Sequence, residues 1–199
     1  MATQKSKSLK TQAALLDAAT VVVRAEGVAN LTLDRVAEAA GVSKGGLLYH
    51  YPTKQALVAA MLERTLGRAD DRLNELAVAN DRSTGSFAKA YLDYVRSDQP
   101  TELDSATGIF ASAALEDGDL APAQTQFASW QRRLLEDDGL DQTVALLARV
   151  VGDGLWLIDL FGLAPPSDEQ RGALIDMVEE MIDEPGTQTT EKGIEQASL

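Results

Sequence analysis

The chain has 199 residues, 45% of them hydrophobic and 25% charged, with a formal net charge of −13; this is the composition of an ordinary soluble globular protein, long enough for one or two domains. It has no cysteine and one histidine, which excludes a disulfide framework, a thiolate metal site and a cysteine nucleophile. No apolar run approaches the roughly 20 residues of a membrane span, and the opening MATQKSKSLKTQ is too basic and polar for a signal peptide, so a cytoplasmic protein without a membrane partner is expected.

The charge is unevenly spread. Residues 1–68 hold nine Lys/Arg against five acids, a net of +4, and the rest holds nine against 26, a net of −17. A module facing a polyanion, joined to an acidic body, has this distribution. Chance placement of basic residues in an acidic protein gives it too.

Apolar residues at helical spacing (Ala14, Leu15, Ala18, Ala19, Val22, Val23) predict a first helix from about Lys10 to Glu26. Lys5, Lys7 and Lys10 are expected on a mobile arm, from which they could add contacts to a polyanion. Gly27 stops the helix, since glycine tolerates the left-handed conformation of a C-cap. Thr32 reads as an N-cap for a short helix over 33–40, with Val36 and Ala40 inward. Gly41-Val42-Ser43 makes a turn, with Val42 packed inside it, and Ser43 caps a third helix over 44–51. Two short helices joined by a glycine-containing turn of three or four residues are a helix-turn-helix. Pro52 ends the third helix and Thr53 caps a fourth, to about Val78.

The remainder also reads as helix, over 84–97, 102–116, 121–137, 140–162 and 168–183, with breaks at Pro100, Asp138-Gly139 and Pro165-Pro166. No stretch alternates as a strand would. The expected fold class is therefore all-α, with about nine helices. The expected organisation is a helix-turn-helix domain over 1–52, a helical body over 53–183 and a disordered tail over 184–199, where Pro, Gly, Thr and Gln mix with charge.

The stretch LTLDRVAEAAGVSKGGLLYHYPTKQAL resembles the DNA-binding segment of the TetR family, the tetracycline-repressor-like bacterial regulators. The likeness covers residues 9 to about 65. It combines Glu26-Gly27, the Thr32 cap, Val36-Ala37, Gly41-Val42-Ser43 and Tyr49-His50-Tyr51-Pro52-Thr53-Lys54 at the family's spacing. The resemblance implies an all-α homodimer, with three N-terminal helices for DNA and a helical body for ligand and dimer contacts. It implies repression at a double-stranded DNA operator, relieved by a small-molecule effector. With one histidine, no cysteine and no assembled nucleophile, base or phosphate-binding glycine loop, no cofactor, no metal and no enzymatic activity are expected. Many members carry Thr, Ser or Ala where Gly46 stands and Tyr where Leu48 stands, so a base preference cannot be borrowed.

With the third helix in the major groove, its N-terminal residues meet base edges. Leu47 points into the three-helix core, and Lys44, Gly45, Gly46, Leu48 and Tyr49 lie outward. Lys44 can donate to guanine O6/N7 or to phosphate, and Leu48 and Tyr49 can meet thymine methyl groups. Tyr49 and Tyr51 also fit as core aromatics. His50 and Lys54 match family positions that contact phosphate. Thr53, at a helix N-terminus, suits a phosphate, and Thr32 and Ser43 complete the DNA-binding set as caps. The pair Gly45-Gly46 costs roughly 1 kcal/mol per residue in helix propensity; a first turn without side chains lets the backbone approach the bases.

In the body, Phe110, Phe127, Trp130 and Trp156 are the candidate effector-pocket lining; each serves equally well as ordinary core. The body's acidity is compatible with a cationic effector. The dimer interface is expected on the last two helices, through Val151, Gly154, Leu155, Ile158, Leu174 and Val178. Glycines in the first of these helices permit close helix approach. The alternative is that one of the two helices is internal to the subunit.

Overall fold

Helix α1 spans Ala2–Glu26 in the computed structural model, which describes residues 2–80, 83–96, 109 and 120–184, with side chains from Ser6 onward. It begins roughly two turns before the expected start, and the segment expected to be a mobile arm is helical. Apolar periodicity could not announce those turns, because Leu9 is the one large apolar side chain between Ala2 and Lys10. No Gly or Pro interrupts the chain before Gly27, so nothing local stops the helix from extending. After Gly27, at φ 79°, a 3-10 turn over Val28–Asn30 leads to the buried Leu31.

Then follow α2 (Leu33–Ala39), α3 (Lys44–His50), α4 (Lys54–Ala79), α5 (Ser86–Arg96), α6 (Ala121–Arg132) continuing into a π turn (Arg133–Asp137), α7 (Gln142–Phe161) and α8 (Asp168–Asp183). No strand occurs among the described residues, and the fold class is all-α. No helix among them is long and apolar enough to cross a membrane. The predicted helix over 102–116, the tail beyond Glu184 and Phe110 lie outside the described residues.

The chain divides into two compact units, the boundaries falling inside α4 after Asp70 and inside α6 after Phe127. The first unit contains α1–α3 and the start of α4. Its core gathers Leu15, Ala19 and Val23 of α1, Val36 of α2, Leu47 of α3 and Leu57, Met61 and Leu62 of α4, all nearly inaccessible. Full burial of one of these Val, Leu or Met side chains contributes about 1.5–3 kcal/mol.

Arg64 fastens α4 to α1. Its Nη1 donates to Asp17 Oδ1 at 2.7 Å, and its Nη2 donates to Leu16 O and to Thr20 Oγ1, each at 2.8 Å. Arg35 ties α2 back to the end of α1 through Glu26 Oε2, at 2.6 Å from its Nη2.

The second unit packs α5 against α7 and α8. Gly152 lets α7 approach the ring of Tyr91 on α5. Tyr91 Oη donates to Asp153 Oδ1, and Arg149 holds the other oxygen of that carboxylate at 3.1 Å. Burial, reinforced by the neighbouring carboxylate, pushes the Tyr91 phenol well above its usual range.

Asp138 caps α5 across the chain, accepting the N–H groups of Phe87 at 2.9 Å and Ala88 at 2.8 Å. Ser167 and Gln170 form a capping box at the start of α8, which satisfies two orphan donors reciprocally. Arg96 of α5 then grips Asp176 and Glu179 of α8 at 2.6 and 2.7 Å.

Candidate nucleic-acid interface

The first unit presents α3 on a frame of three hydroxyl caps. Thr32 Oγ1 accepts from Arg35 N at 3.3 Å, Ser43 Oγ from Gly46 N at 3.1 Å and Thr53 Oγ1 from Ala56 N at 3.0 Å. Each satisfies a backbone donor that the helix itself leaves orphaned. Between α2 and α3 the chain turns at Gly41, at φ 65°, and Val42 N–H reaches back to Ala37 O at 3.0 Å. That six-to-one bond over a left-handed glycine is the Schellman arrangement. Val42 is half-buried rather than enclosed, and Ala37 takes the inward place expected of Ala40.

Within α3 the faces separate cleanly. Leu47 is fully buried, whereas Leu48 is 37% and Tyr49 82% exposed. Tyr49 is therefore not a core aromatic. Tyr51 is one: it is buried, its N–H bonds Leu47 O at 2.8 Å, and burial raises its phenol pKa, with Arg64 opposing. The edge of one ring faces the other where Tyr49 meets His50, with centroids 5.1 Å apart.

Gly45 and Gly46 are both exposed. A Cβ added at Gly45 would meet nothing within 4 Å, and one at Gly46 only Ser43 Oγ, at 3.3 Å. Packing inside the protein therefore does not account for the pair. Lys44 Nζ donates to Asp34 Oδ2 of α2 at 2.9 Å, and Lys54 stands half-buried in the first turn of α4. All ten residues singled out on the sequence for DNA lie in this one unit, at the N-cap of α2, at the N-cap and along α3, and at the start of α4. Asp34 and Arg64 escaped sequence reasoning, because their partners lie on other helices and no local spacing marks them.

The body candidates are more scattered. Trp130 is buried and forms a T-shaped pair with Tyr91, with centroids 6.0 Å apart, and Trp156 is half-buried in the same unit. Phe127 belongs to the first unit. A cavity of about 590 Å³ in the second unit is lined by Asn74, Val78, Phe87, Arg133, Asp137 and Asp138 among others, and, among the described residues, by none of Phe127, Trp130 and Trp156.

Of the dimer candidates, Leu155 and Val178 are buried within their own unit, Val151, Gly154 and Ile158 are half-buried, and Leu174 is exposed. The exposed apolar residues of these two helices are mostly others: Leu146, Val150, Leu157 and Phe161 on α7, and Met177 and Met181 with Leu174 on α8.

Residues 15–61 match the family model for bacterial regulatory proteins of the tetR family, and residues 85–183 match the tetracyclin repressor-like C-terminal domain. The HTH-type transcriptional regulator CymR of Pseudomonas putida is 31% identical over 120 residues, 58% of this chain and 59% of its own. The HTH-type transcriptional regulator TtgR, also of Pseudomonas putida, is 34% identical over 77 residues, 39% of this chain and 36% of its own. The chain thus spans at most about three-fifths of the length of these two curated relatives.

Among solved structures, a protein described as a TetR-family transcriptional regulator from Rhodococcus sp. shares the fold at a TM-score of 0.68 and 23% identity, over 87% of this chain and 99% of its own. The multidrug binding protein EbrR complexed with ethidium does so at 0.63 and 24%, over 84% and 98%. Both the capped helix-turn-helix unit and the helical body fall under models of one family, and the protein belongs to the tetR family of bacterial regulatory proteins.

Proposed function

We propose that the protein is a sequence-specific DNA-binding repressor of transcription that binds a palindromic operator as a homodimer and leaves it when a small-molecule effector binds the body. The observation that carries the reading is the outward face of α3. There two glycines unexplained by packing, an exposed Leu48 and a Tyr49 exposed over 82% of its surface follow a basic Lys44, on a helix anchored from beneath by the buried Leu47. An exposed aromatic alone needs no explanation, but next to a bare first turn and a basic Lys44 it gives a helix face that suits the major groove. In this reading Thr53 and Lys54 at the start of α4, with His50, take phosphates.

The dimer reading rests on α7 and α8, which pack together and leave Leu157 (42% exposed), Phe161 (50%) and Met177 (60%) uncovered. Two such helices from each copy would form a four-helix interface about a two-fold axis. Such an axis matches the symmetry of a palindromic operator. Residues 1–52 act as the reading head and 53–183 as the body, with α4 shared between them. The effector acts by differential affinity, binding best the body conformation whose heads are misplaced for the operator. The net charge of −17 over residues 69–199 favours a cationic effector over an anionic one.

The test is a binding titration against duplex from the region upstream of the protein's own gene. Affinity should fall steeply with salt, as counterion release requires. An absence of binding at low salt overturns the reading.

A further inference from the structure

Lys44 opens α3, Asp34 stands in the first turn of α2, and the ammonium of the first meets the carboxylate of the second at 2.9 Å. Stability does not account for the pair. The two side chains are 58% and 68% exposed, and such surface pairs contribute about 0–1 kcal/mol. In the first turn of α2 the Asp34 charge complements the helix dipole by about 0.3–1 kcal/mol, but that does not require its reach to Lys44, and the Thr32 hydroxyl already takes Arg35 N–H. Nor does charge balance in α2 demand it, because Arg35 has its own partner in Glu26. What Asp34 does is place a negative charge at the edge of the face that would meet a polyanion, bound to the cation at the head of α3.

We propose that Asp34 is a positioning residue for base reading: it holds the Lys44 ammonium over the first turn of α3 and disfavours its use as an indiscriminate phosphate contact. The inference rests on the reading of α3 as the helix that enters the groove. An ammonium carries three donors and rotates freely on a flexible stem. With one N–H on Asp34, two remain for guanine O6 and N7, and the carboxylate fixes the direction in which they point. Gly45 and Gly46 follow without side chains, so nothing on α3's first turn stands between that ammonium and a base edge. A phosphate contact instead pulls Lys44 away and leaves an unpaired carboxylate facing the backbone anions, where like charges repel. Asp34 therefore weakens non-specific binding more than specific binding, and the ratio between them is what discrimination consists of.

The experiment uses the full chain and a duplex enriched by the wild-type protein from a random-sequence pool, compared with a shuffled duplex of the same composition. Affinities are measured across a salt series for wild type, Asp34→Asn, Asp34→Glu, Lys44→Ala and the double variant Asp34→Asn/Lys44→Ala. Asp34→Asn should tighten the shuffled duplex at least about threefold more than the selected one. Its salt slope on the shuffled duplex should steepen by roughly 0.9, the value of one added phosphate contact. Asp34→Glu should restore the wild-type ratio, and in the Lys44→Ala background Asp34→Asn should shift both duplexes alike.

An equal shift on both duplexes with Lys44 present overturns the proposal, as does a ratio change that persists without Lys44. A pool that yields no enriched duplex overturns the reading of α3 and this inference with it. Wild-type discrimination with an unmoved ratio in Asp34→Asn overturns this inference alone.

Discussion

Gly152 on α7 presents its bare Cα to the ring of Tyr91 on α5, so closely that a Cβ would lie 2.7 Å from Tyr91 Cδ1 and 2.8 Å from Cε1. The ring cannot retreat, because Tyr91 is buried, forms a T-shaped pair with Trp130 and donates its hydroxyl proton to Asp153. Gly152→Ala should therefore destabilise the protein by roughly 1–3 kcal/mol, the usual effect of overpacking. At about 2–4 °C per kcal/mol for a chain of this size, the change is plain in a thermal melt. Gly154, two residues on, has nothing within 4 Å, and Gly154→Ala should leave the melt unchanged or raise it by helix propensity. If the two substitutions behave alike, the close approach at Tyr91 does not constrain the fold.

Leu47 and Tyr49 are two residues apart on α3 and should respond in opposite ways. Leu47 is fully buried among the three helices of the head, so Leu47→Ala removes packed volume and should cost about 2–5 kcal/mol. Tyr49→Ala should lie within about 0.5 kcal/mol of wild type, as exposed substitutions do, and alter base preference on DNA. A Tyr49→Ala protein that melts early would mean the ring supports the head after all.

The head was readable because its punctuation is local. A threonine or serine cap and a left-handed glycine each declare a helix end within a few residues, so α2 and α3 fell within a residue of their predicted bounds. The outward turn of Tyr49 followed from its angle to Leu47 on a helix. What could not be read depends on partners distant in sequence. Arg64 meets Asp17 across 47 residues and Asp138 caps α5 from 51 residues away. In α7 apolar side chains line nearly every face, so the pattern could not say which face is covered; Leu155 there, and Val178 on α8, were assigned to a dimer interface when the fold buries both within their own unit.

Two aspartates three residues apart should titrate in opposite directions. Burial raises the Asp138 pKa, although its bonds from Phe87 and Ala88 N–H and the nearby Arg133 oppose the rise. Asp141 is held below the usual carboxylate range by the N–H groups of Thr143 and Val144. A raised carboxylate pKa means that the folded state prefers the proton. The contribution of Asp138 to stability is therefore greatest below its unfolded value of about 3.9 and is lost as pH rises through its folded pKa. Asp141 works in reverse, stabilising above its unfolded value and losing that as pH falls through the folded one. NMR titration of the side-chain carboxyls should place the Asp138 midpoint above that of Asp141, and the opposite order contradicts the assignment. Asp138→Ala, which strands two backbone donors in a buried site, should cost about 1–3 kcal/mol for each.

The dimer proposal predicts a separation between the two apolar sets on α7 and α8. Phe161→Glu and Met177→Glu place a charge on residues that are 50% and 60% exposed in the single subunit. A charge there costs the lone subunit little, but inside an interface it would be buried without a partner, which is strongly unfavourable. Each variant should therefore melt close to the wild-type monomer, run at the mass of one chain in light-scattering chromatography and lose operator affinity, because a single head makes half the contacts. Leu155→Ala and Val178→Ala should instead lower thermal stability by about 2–5 and 1–3 kcal/mol, the loss growing with the methyl groups removed from a packed core, and change stoichiometry only after the fold itself is compromised. Dimers that survive Phe161→Glu and Met177→Glu together would place the interface on another surface of the subunit.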